Sequence, residues 1–533
     1  MNSDSNRKSV SFSGSPFSSR FSPPPGHEPI VSALRQKQYR TAERLALDLL
    51  QSSPLSAQLW CWLGEALLHQ GFGKAARRVF DRAWLLDPFA AWTETAYRAL
   101  ERTPPGADRP DIEELLAVPE TKVTAAVLVR DEKERIVRCL NSLLAAVDEI
   151  VVIDTGSCDG TVDQVRALFP GVKLVEIGWD NDFAAARNAG LKHCSGEWVL
   201  WVDADEYLHP DDVPNVRTAA GLFRGHAPAA LLCIGQINEL RKGDARTNYS
   251  MVRMFETDRP FRFFGRVHEQ VEYAGESAYG NANGSAAGSA AGASVEAASA
   301  AENTAGSTAG AAVHLSVRIR VFHDGYAPEV MRDKNKWQRN IELLKQSIAE
   351  DSENPAWWFF LARETMGLGD RELALDFFRT AERLAEREPA FARKTEMYMH
   401  MAGICSAGQD WTAAEQYCRK ALALEPEYPD AHFLLAQIRL RQSAELMREA
   451  EQCVRRARES AAVYRGAAPA DDGIPRWKAG SMLGDLALRS GNLAQAKALY
   501  AALHRRNPDT PGIREKLAYI EGQRRQLNAD GSP

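Results

Sequence analysis

Three carboxylates fall within four positions at the end of an apolar run, in Trp198-Val-Leu-Trp-Val-Asp203-Ala-Asp205-Glu206. A buried strand that stops abruptly in acid must solvate charge at its C-terminal tip. Carboxylates packed this closely raise one another's pKa unless a cation sits among them. A hard divalent ion, Mn²⁺ or Mg²⁺, takes oxygen ligands and bridges one or two protein carboxylates to substrate phosphates, so Asp-x-Asp at this place predicts a metal and diphosphate site. The competing reading is that the acids cap the following turn and face solvent.

The elements around the run decide between the two. Val123 to Val129, Glu149 to Ile153, Lys173 to Ile177 and Trp198 to Val202 are short β-rich apolar runs, and helical patterns over Glu134 to Leu144, Thr161 to Leu168 and Ala184 to Cys194 separate them. Such alternation predicts a parallel sheet, in which ligands bind beyond the carboxyl ends of the strands. Arg130-Asp131-Glu132, Asp154-Thr-Gly156-Ser157 and Asp203-Ala-Asp205 all fall at those ends. Turns scatter their acids, whereas these three clusters converge on one edge.

Helical repeats flank this segment. Counting from Ala57, the residues Trp60, Leu63, Gly64, Leu67, Ala76, Phe80, Ala83 and Pro88 occupy the large, small and breaking positions of a tetratricopeptide repeat of about 34 residues. Tyr39 to Pro54 reads as the second half of an incomplete repeat. The register returns in Trp358, Leu361, Ala362, Ala374, Phe378 and Ala381, again in Tyr398, Met401, Ala402, Ala414, Cys418, Ala421 and Pro426, and more loosely in Leu435, Ala436, Ala450 and Ala457 and in Leu483, Gly484, Ala496, Tyr500 and Pro508. Such arrays expose an extended concave face that binds a partner, often a polypeptide. The expected division is therefore a tail over 1–29, N-terminal repeats over 30–105, a linker over 106–120, a catalytic α/β domain over 121–345, C-terminal repeats over 346–525 and a tail over 526–533. Within the catalytic domain, 276–312 is nearly all Ala, Gly, Ser and Asn and reads as a flexible insertion hung from a hairpin.

Composition narrows the partners. The 533 residues carry a net charge of -6 with both signs mixed, which gives no nucleic-acid footprint. The eight cysteines are scattered with no C-x-x-C pair, which argues against structural zinc or a disulfide framework and for a reducing compartment. No apolar run reaches the length of a membrane span and the first residues lack the apolar core of a secretory signal, so the expected location is cytoplasmic.

The motifs resemble a known family. V-R-D-E at 129–132, V-V-I-D-T-G-S-C-D-G-T at 151–161, A-A-R-N-A-G at 185–190 and G-E-W-V-L-W-V-D-A-D-E at 196–206 resemble family 2 glycosyltransferases of the GT-A fold. G-R-V-H-E at 265–269, then His323 to Tyr326 as H-x-G-Y, then tetratricopeptide repeats are similar to a bacterial subgroup that includes peptide S-glycosyltransferases of the sublancin type. The resemblance implies a GT-A domain, Rossmann-like with a mainly parallel sheet, flanked by all-α tetratricopeptide arrays. It implies an inverting hexosyl transfer from a nucleotide-diphosphate sugar, expected from the family to be a uridine diphosphate sugar, to a peptide or protein.

By the same resemblance Asp154 accepts a hydrogen bond from the nucleotide base with Arg187 nearby, Asp203 meets the ribose, and Arg130 and Glu132 complete the donor-binding set. Asp205 holds the divalent metal, with His323 as a further ligand or a structural histidine. Glu269 and His268 are the candidates for the base that takes the acceptor's proton, Glu269 preferred. Asp131 stands where the subgroup commonly has Asn, and its extra charge near a diphosphate would weaken donor binding unless it faces away. Two other readings compete. An adaptor with an inactive GT-A domain is opposed by the intact Asp154, Asp203, Asp205 and Glu269; a nucleotidyltransferase would want a Gly-rich phosphate loop after the first strand, which is missing.

Overall fold

The computed structural model describes residues 24–529 apart from 242–243, 274–311, 324–335, 389–390, 443–446 and 467. The expected insertion at 276–312 therefore lies outside the described residues except for Ala312, as do most of the expected tail at 1–29 and Asp324 to Tyr326. The chain forms two compact units, one of Met1–Glu239 with Asn248–Asn335 and one of Leu240–Thr247 with Lys336–Pro533. Among the described residues no helix is long and apolar enough to cross a membrane, and the cysteines are free thiols.

The first unit opens with helices α1 (Glu28–Arg35), α2 (Tyr39–Leu50), α3 (Ala57–His69), α4 (Gly73–Leu86), α5 (Thr93–Leu100) and α6 (Pro110–Leu116). Ser56 starts α3 by accepting the Leu59 N–H, a side-chain cap for an otherwise orphaned donor. The α3 and α4 pair closes where Gly64 meets Phe80: a Cβ at Gly64 would lie 2.6 Å from the Phe80 ring. The repeat pattern required a small residue there, and only glycine fits.

The sheet has the strands β1 (Val123–Val129), β2 (Glu149–Asp154), β3 (Lys173–Glu176), β4 (Trp198–Asp203), β5 (Glu206–Leu208), β6 (Ala230–Arg241), β7 (Asp244–Glu256) and β10 (Val313–His323) in the order β3-β2-β1-β4-β7-β6-β10-β5. A separate hairpin pairs β8 (Phe261–Phe264) with β9 (Gln270–Tyr273). Strands β3, β2, β1 and β4 run parallel, and every residue of β1 is buried, as expected for a strand covered on both faces. Helices α7 (Ile136–Leu143), α8 (Thr161–Leu168) and α9 (Phe183–Leu191) make the crossovers, and α10 (Val213–Phe223) follows β5. Because the chain passes from β1 out to β3 and then returns to the other side of β1, the crevice for a ligand opens between the carboxyl ends of β1 and β4. The remaining half is mixed: β7 is antiparallel to β4, β10 is parallel to β6, and β5 is antiparallel to β10.

Two expectations need correction. The segment between β9 and β10 does not hang from a hairpin, since β9 pairs with β8 whereas β10 lies between β6 and β5 in the large sheet. The last helix, Ile513–Ala529, continues four residues into the expected tail at 526–533. In the second unit, helices Pro355–Gly367 and Arg371–Arg387, Lys394–Ala407 and Trp411–Leu424, Pro429–Gln442 and Met447–Val463, and Ala479–Arg489 and Leu493–Arg506 form successive antiparallel pairs. Their small and large repeat positions, Ala362, Phe378, Ala402, Ala414, Cys418, Ala436, Ala450, Ala496 and Tyr500, are buried.

Candidate active site

The carboxyl end of β2 delivers Asp154, which is 2% exposed. Its Oδ2 accepts the N–H groups of Gly156 and Ser157 at 2.9 and 3.0 Å, so one oxygen caps the turn that Gly156, at φ 99°, makes possible. The other oxygen, Oδ1, is buried with no hydrogen-bond partner among the described residues. A buried acceptor left unmade costs about 1–3 kcal/mol, and a ligand N–H would recover that cost.

Arg187 comes from α9, whose start is capped by Asp182 accepting the Ala185 N–H. The guanidinium lies over the Trp201 and Phe263 rings, 5.0 and 5.5 Å from their centroids. Its Nε donates to Glu269 Oε1 at 2.5 Å and its Nη2 to Asp203 Oδ1 at 2.8 Å, while Nη1 is buried without a partner among the described residues. Asn188, one residue on, ties α9 to the β8 backbone by exchanging hydrogen bonds with Phe263 N and O. This holds the helix against the hairpin that leads to His268 and Glu269. His268 adopts a left-handed φ of 56°.

Asp203 at the tip of β4 is gripped on both oxygens, by Arg187 on Oδ1 and by Arg253 of β7 on Oδ2 at 2.7 Å. Arg253 also reaches Glu206 at 3.3 Å, and Glu206 accepts the Asp203 N–H at 2.8 Å. Burial works against ionisation of Asp203, but Arg253 and Arg187 hold its carboxyl well below the usual carboxylate range. Burial pushes Glu206 above its ordinary value against the pull of Arg253. Three acids thus share one network with two buried arginines, which answers the repulsion expected at the strand tip with protein cations.

Asp205, also buried, faces His323 at the end of β10, with Nε2 3.4 Å from Oδ2. Burial alone would lower the imidazole, yet its hydrogen bond and charge contact with Asp205 raise it above the ordinary histidine value. Among the described residues no three His, Cys, Asp or Glu side chains gather to hold an ion by themselves. Two protein ligands nevertheless suit Mg²⁺ or Mn²⁺, which fill their remaining positions with water and phosphate oxygens.

Arg187, Asp203 and Glu269 are therefore brought together, as are Asp205 and His323. Arg130 is half-exposed, its nearest ion pair being Asp131 at 3.9 Å. Glu132 pairs with Arg135 at 2.9 Å beside the start of α7. Asp131 has a role in the loops: at φ 52°, it donates its N–H to Ser157 Oγ and accepts the Cys158 N–H on Oδ1, fastening the loop after β1 to the loop after β2. Asx side chains tolerate this left-handed backbone, so Asp serves where Asn is usual. The sequence reading missed Arg253, Gln236 and Asn238. A lone arginine between Val252 and Met254 in an apolar strand was the signal for the first.

Residues 124–225 match the family described as glycosyl transferase family 2, and 31–91 and 481–527 match the tetratricopeptide repeat. The chain carries a family 2 glycosyltransferase domain with tetratricopeptide repeats on either side. It is similar to the SPbeta prophage-derived glycosyltransferase SunS of Bacillus subtilis, with 27% identity over 48% of this chain and 52% of that protein. The match thus spans about half the length of that relative. A TPR repeat-containing protein of Synechococcus elongatus is 36% identical over 28% of this chain and 36% of its own, and an uncharacterized glycosyltransferase of Rickettsia felis is 33% identical over 16% and 30%. Among solved structures, the TPR protein YrrB aligns with 34% of this chain and 84% of its own at 17% identity and a TM-score of 0.27.

Proposed function

We propose that the central domain moves a sugar from a uridine diphosphate sugar to a peptide or protein acceptor in one inverting displacement. The observation that carries this reading is the pair of buried, unpartnered polar atoms, Asp154 Oδ1 and Arg187 Nη1, on side chains that serve the carboxyl ends of β2 and β4. An ionised carboxylate only accepts, which selects an imide N–H such as that of uracil, and a guanidinium N–H suits a diphosphate or carbonyl oxygen. Asp203, fixed by its two arginines, presents its exposed edge to the ribose.

In the displacement the acceptor attacks the anomeric carbon, the bond to the diphosphate breaks with its electron pair, and the acceptor's proton goes to a base. Glu269 is the proposed base: Arg187 orients its carboxylate by holding Oε1, and neighbouring His268 is the second candidate. Asp205 and His323 would hold a divalent cation, which when bound supplies Lewis-acid neutralisation of the departing diphosphate. The tetratricopeptide helices offer the extended surface that a polypeptide acceptor uses.

The test is release of nucleotide diphosphate from a panel of nucleotide sugars. Asp205→Asn, with its circular dichroism unchanged, should lower turnover on the order of 10²-fold or more. Full activity in that variant, or in the presence of a chelator, would remove the metal from the reading.

A further inference from the structure

We propose that Asn238 is a positioning residue of the donor site, fixing His323 in the tautomer whose Nε2 lone pair faces Asp205 and a cation shared with it. The inference rests on reading Asp205 and His323 as ligands of a divalent cation.

Sheet register puts the participants in one row. His323 of β10 stands opposite Asn238 of β6 on one side and opposite Glu206 of β5 on the other. Gln236 lies two residues before Asn238 and so shares its face of the sheet. From there the orientation of each amide follows from donor and acceptor counting.

Glu206 is the fixed point, because a carboxylate accepts. Its Oε2 takes the Asp203 N–H, and its Oε1 takes Arg253 and, at 2.5 Å, Gln236 Nε2. With its Nε2 committed there, Gln236 offers its Oε1 to Asn238, and Asn238 Nδ2 donates to it at 3.3 Å. The Asn238 amide is thereby oriented with Oδ1 toward His323, whose Nδ1 lies 2.8 Å away. An oxygen at that distance requires Nδ1 to carry the hydrogen. In the neutral ring Nε2 then bears the lone pair, and it lies 3.4 Å from Asp205 Oδ2. Two acceptors so placed repel unless a proton or a cation lies between them, so the same wiring that fixes the tautomer prepares a gap for positive charge.

The row also joins the two halves of the site. Asp203 connects through Arg253, Glu206, Gln236 and Asn238 to His323 and Asp205. The proposed metal ligand is thus linked, through Glu206, to the residue proposed to meet the ribose.

The experiment measures binding of Mn²⁺ alone by electron paramagnetic resonance of the free ion, in the full-length wild type and in Asn238→Leu, Asn238→Asp, His323→Ala and Asp205→Asn. Loss of an outer partner of a ligating histidine weakens metal affinity about 10–100-fold. Asn238→Leu should fall in that range, whereas Asn238→Asp, which keeps an acceptor at Nδ1, should stay within about threefold of wild type, a rescue that a merely structural role would not produce. If Asn238→Leu melts early, Asn238→Ala with an unchanged melting temperature takes its place. Wild-type affinity in Asn238→Leu or Asn238→Ala, while His323→Ala and Asp205→Asn bind weakly, overturns the role of Asn238 and leaves the metal reading standing. Equal weakening in Asn238→Asp and Asn238→Leu overturns it as well. Unchanged binding in His323→Ala and Asp205→Asn removes the metal reading and this inference with it.

Discussion

The N-terminal and C-terminal helices obey one packing rule and serve different cores. Gly64 faces Phe80 in the first region as Gly484 faces Tyr500 in the second, and a Cβ added to either glycine would lie 2.6 or 2.4 Å from the ring. In the first region, however, the buried side chains from Ile30 to Leu100 join Val123, Val127 and Leu200 of the sheet in one hydrophobic cluster. Helix α4 reaches the sheet directly, for the Arg318 guanidinium of β10 sits 3.5 Å over the Trp84 ring, and it also holds α6, where Arg82 Nη2 donates to Leu116 O. Fully buried Asp212 holds Arg318 at 3.1 Å and Arg320 at 2.7 Å on the strand that ends in His323. The C-terminal helices instead divide among several smaller clusters, such as that of Ala436, Val454 and Leu483 and that of Ala402, Cys418 and Ile438. A repeat register specifies how paired helices meet and leaves the outer face open to recruitment. We infer that the N-terminal repeat braces the donor site and that the C-terminal repeats select the acceptor.

Truncating the matched aromatics separates these roles with the largest effect. Phe80→Ala and Tyr500→Ala should each cost about 3–5 kcal/mol of local stability. Donor hydrolysis should fail with Phe80→Ala at temperatures the wild type survives and persist with Tyr500→Ala, as followed by nucleotide release during a thermal ramp. Equal loss in both would abolish the distinction. A smaller loss, about 3 kcal/mol, is expected for Asp212→Asn, which leaves buried Arg318 and half-buried Arg320 short of a counter-charge. Urea unfolding followed by the near-ultraviolet signal, together with the affinity for donor, measures it; an unchanged midpoint would mean that the clamp does not hold β10.

The smallest effect is on pH. Burial pulls the His314 imidazole of β10 down to about 4 from 6.5. Its folded form resists the proton that the unfolded chain takes up below about 6.5, so stability is full above that pH and declines as pH falls toward about 4, by on the order of 2–3 kcal/mol. His314→Asn should flatten the melting temperature of the catalytic unit across that window, and an unchanged slope would assign the pH dependence to other groups.

Sequence reading succeeded where local pattern and burial agree. Strands β1, β2 and β4 are apolar because both faces are covered, and their polar tips stand out by contrast. Strands β6 and β7 were missed because Gln236, Asn238 and Arg253 put polar side chains into otherwise apolar runs. The hairpin expected around 276–312 failed because neighbouring strands in a chain usually pair, whereas β10 finds β6 across more than 70 residues. Asp131 was weighed as a charge, yet its left-handed backbone and its bonds to the loop after β2 also make it a fastening between two loops. No local pattern could show that Asp203 is shared by arginines from α9 and β7, since Arg187 and Arg253 are 66 positions apart.

The central claim, that this crevice binds a uridine nucleotide, is tested most directly at Asp154 by titration calorimetry of uridine diphosphate with Mn²⁺ present. Asp154→Asn can keep the cap on Gly156 and Ser157 through its amide oxygen while turning the unpartnered acceptor into an N–H donor. The account predicts that the variant melts like wild type and binds the nucleotide at least about tenfold more weakly, the worth of one lost hydrogen bond to a charged acceptor. Wild-type affinity in a correctly folded Asp154→Asn protein would contradict it.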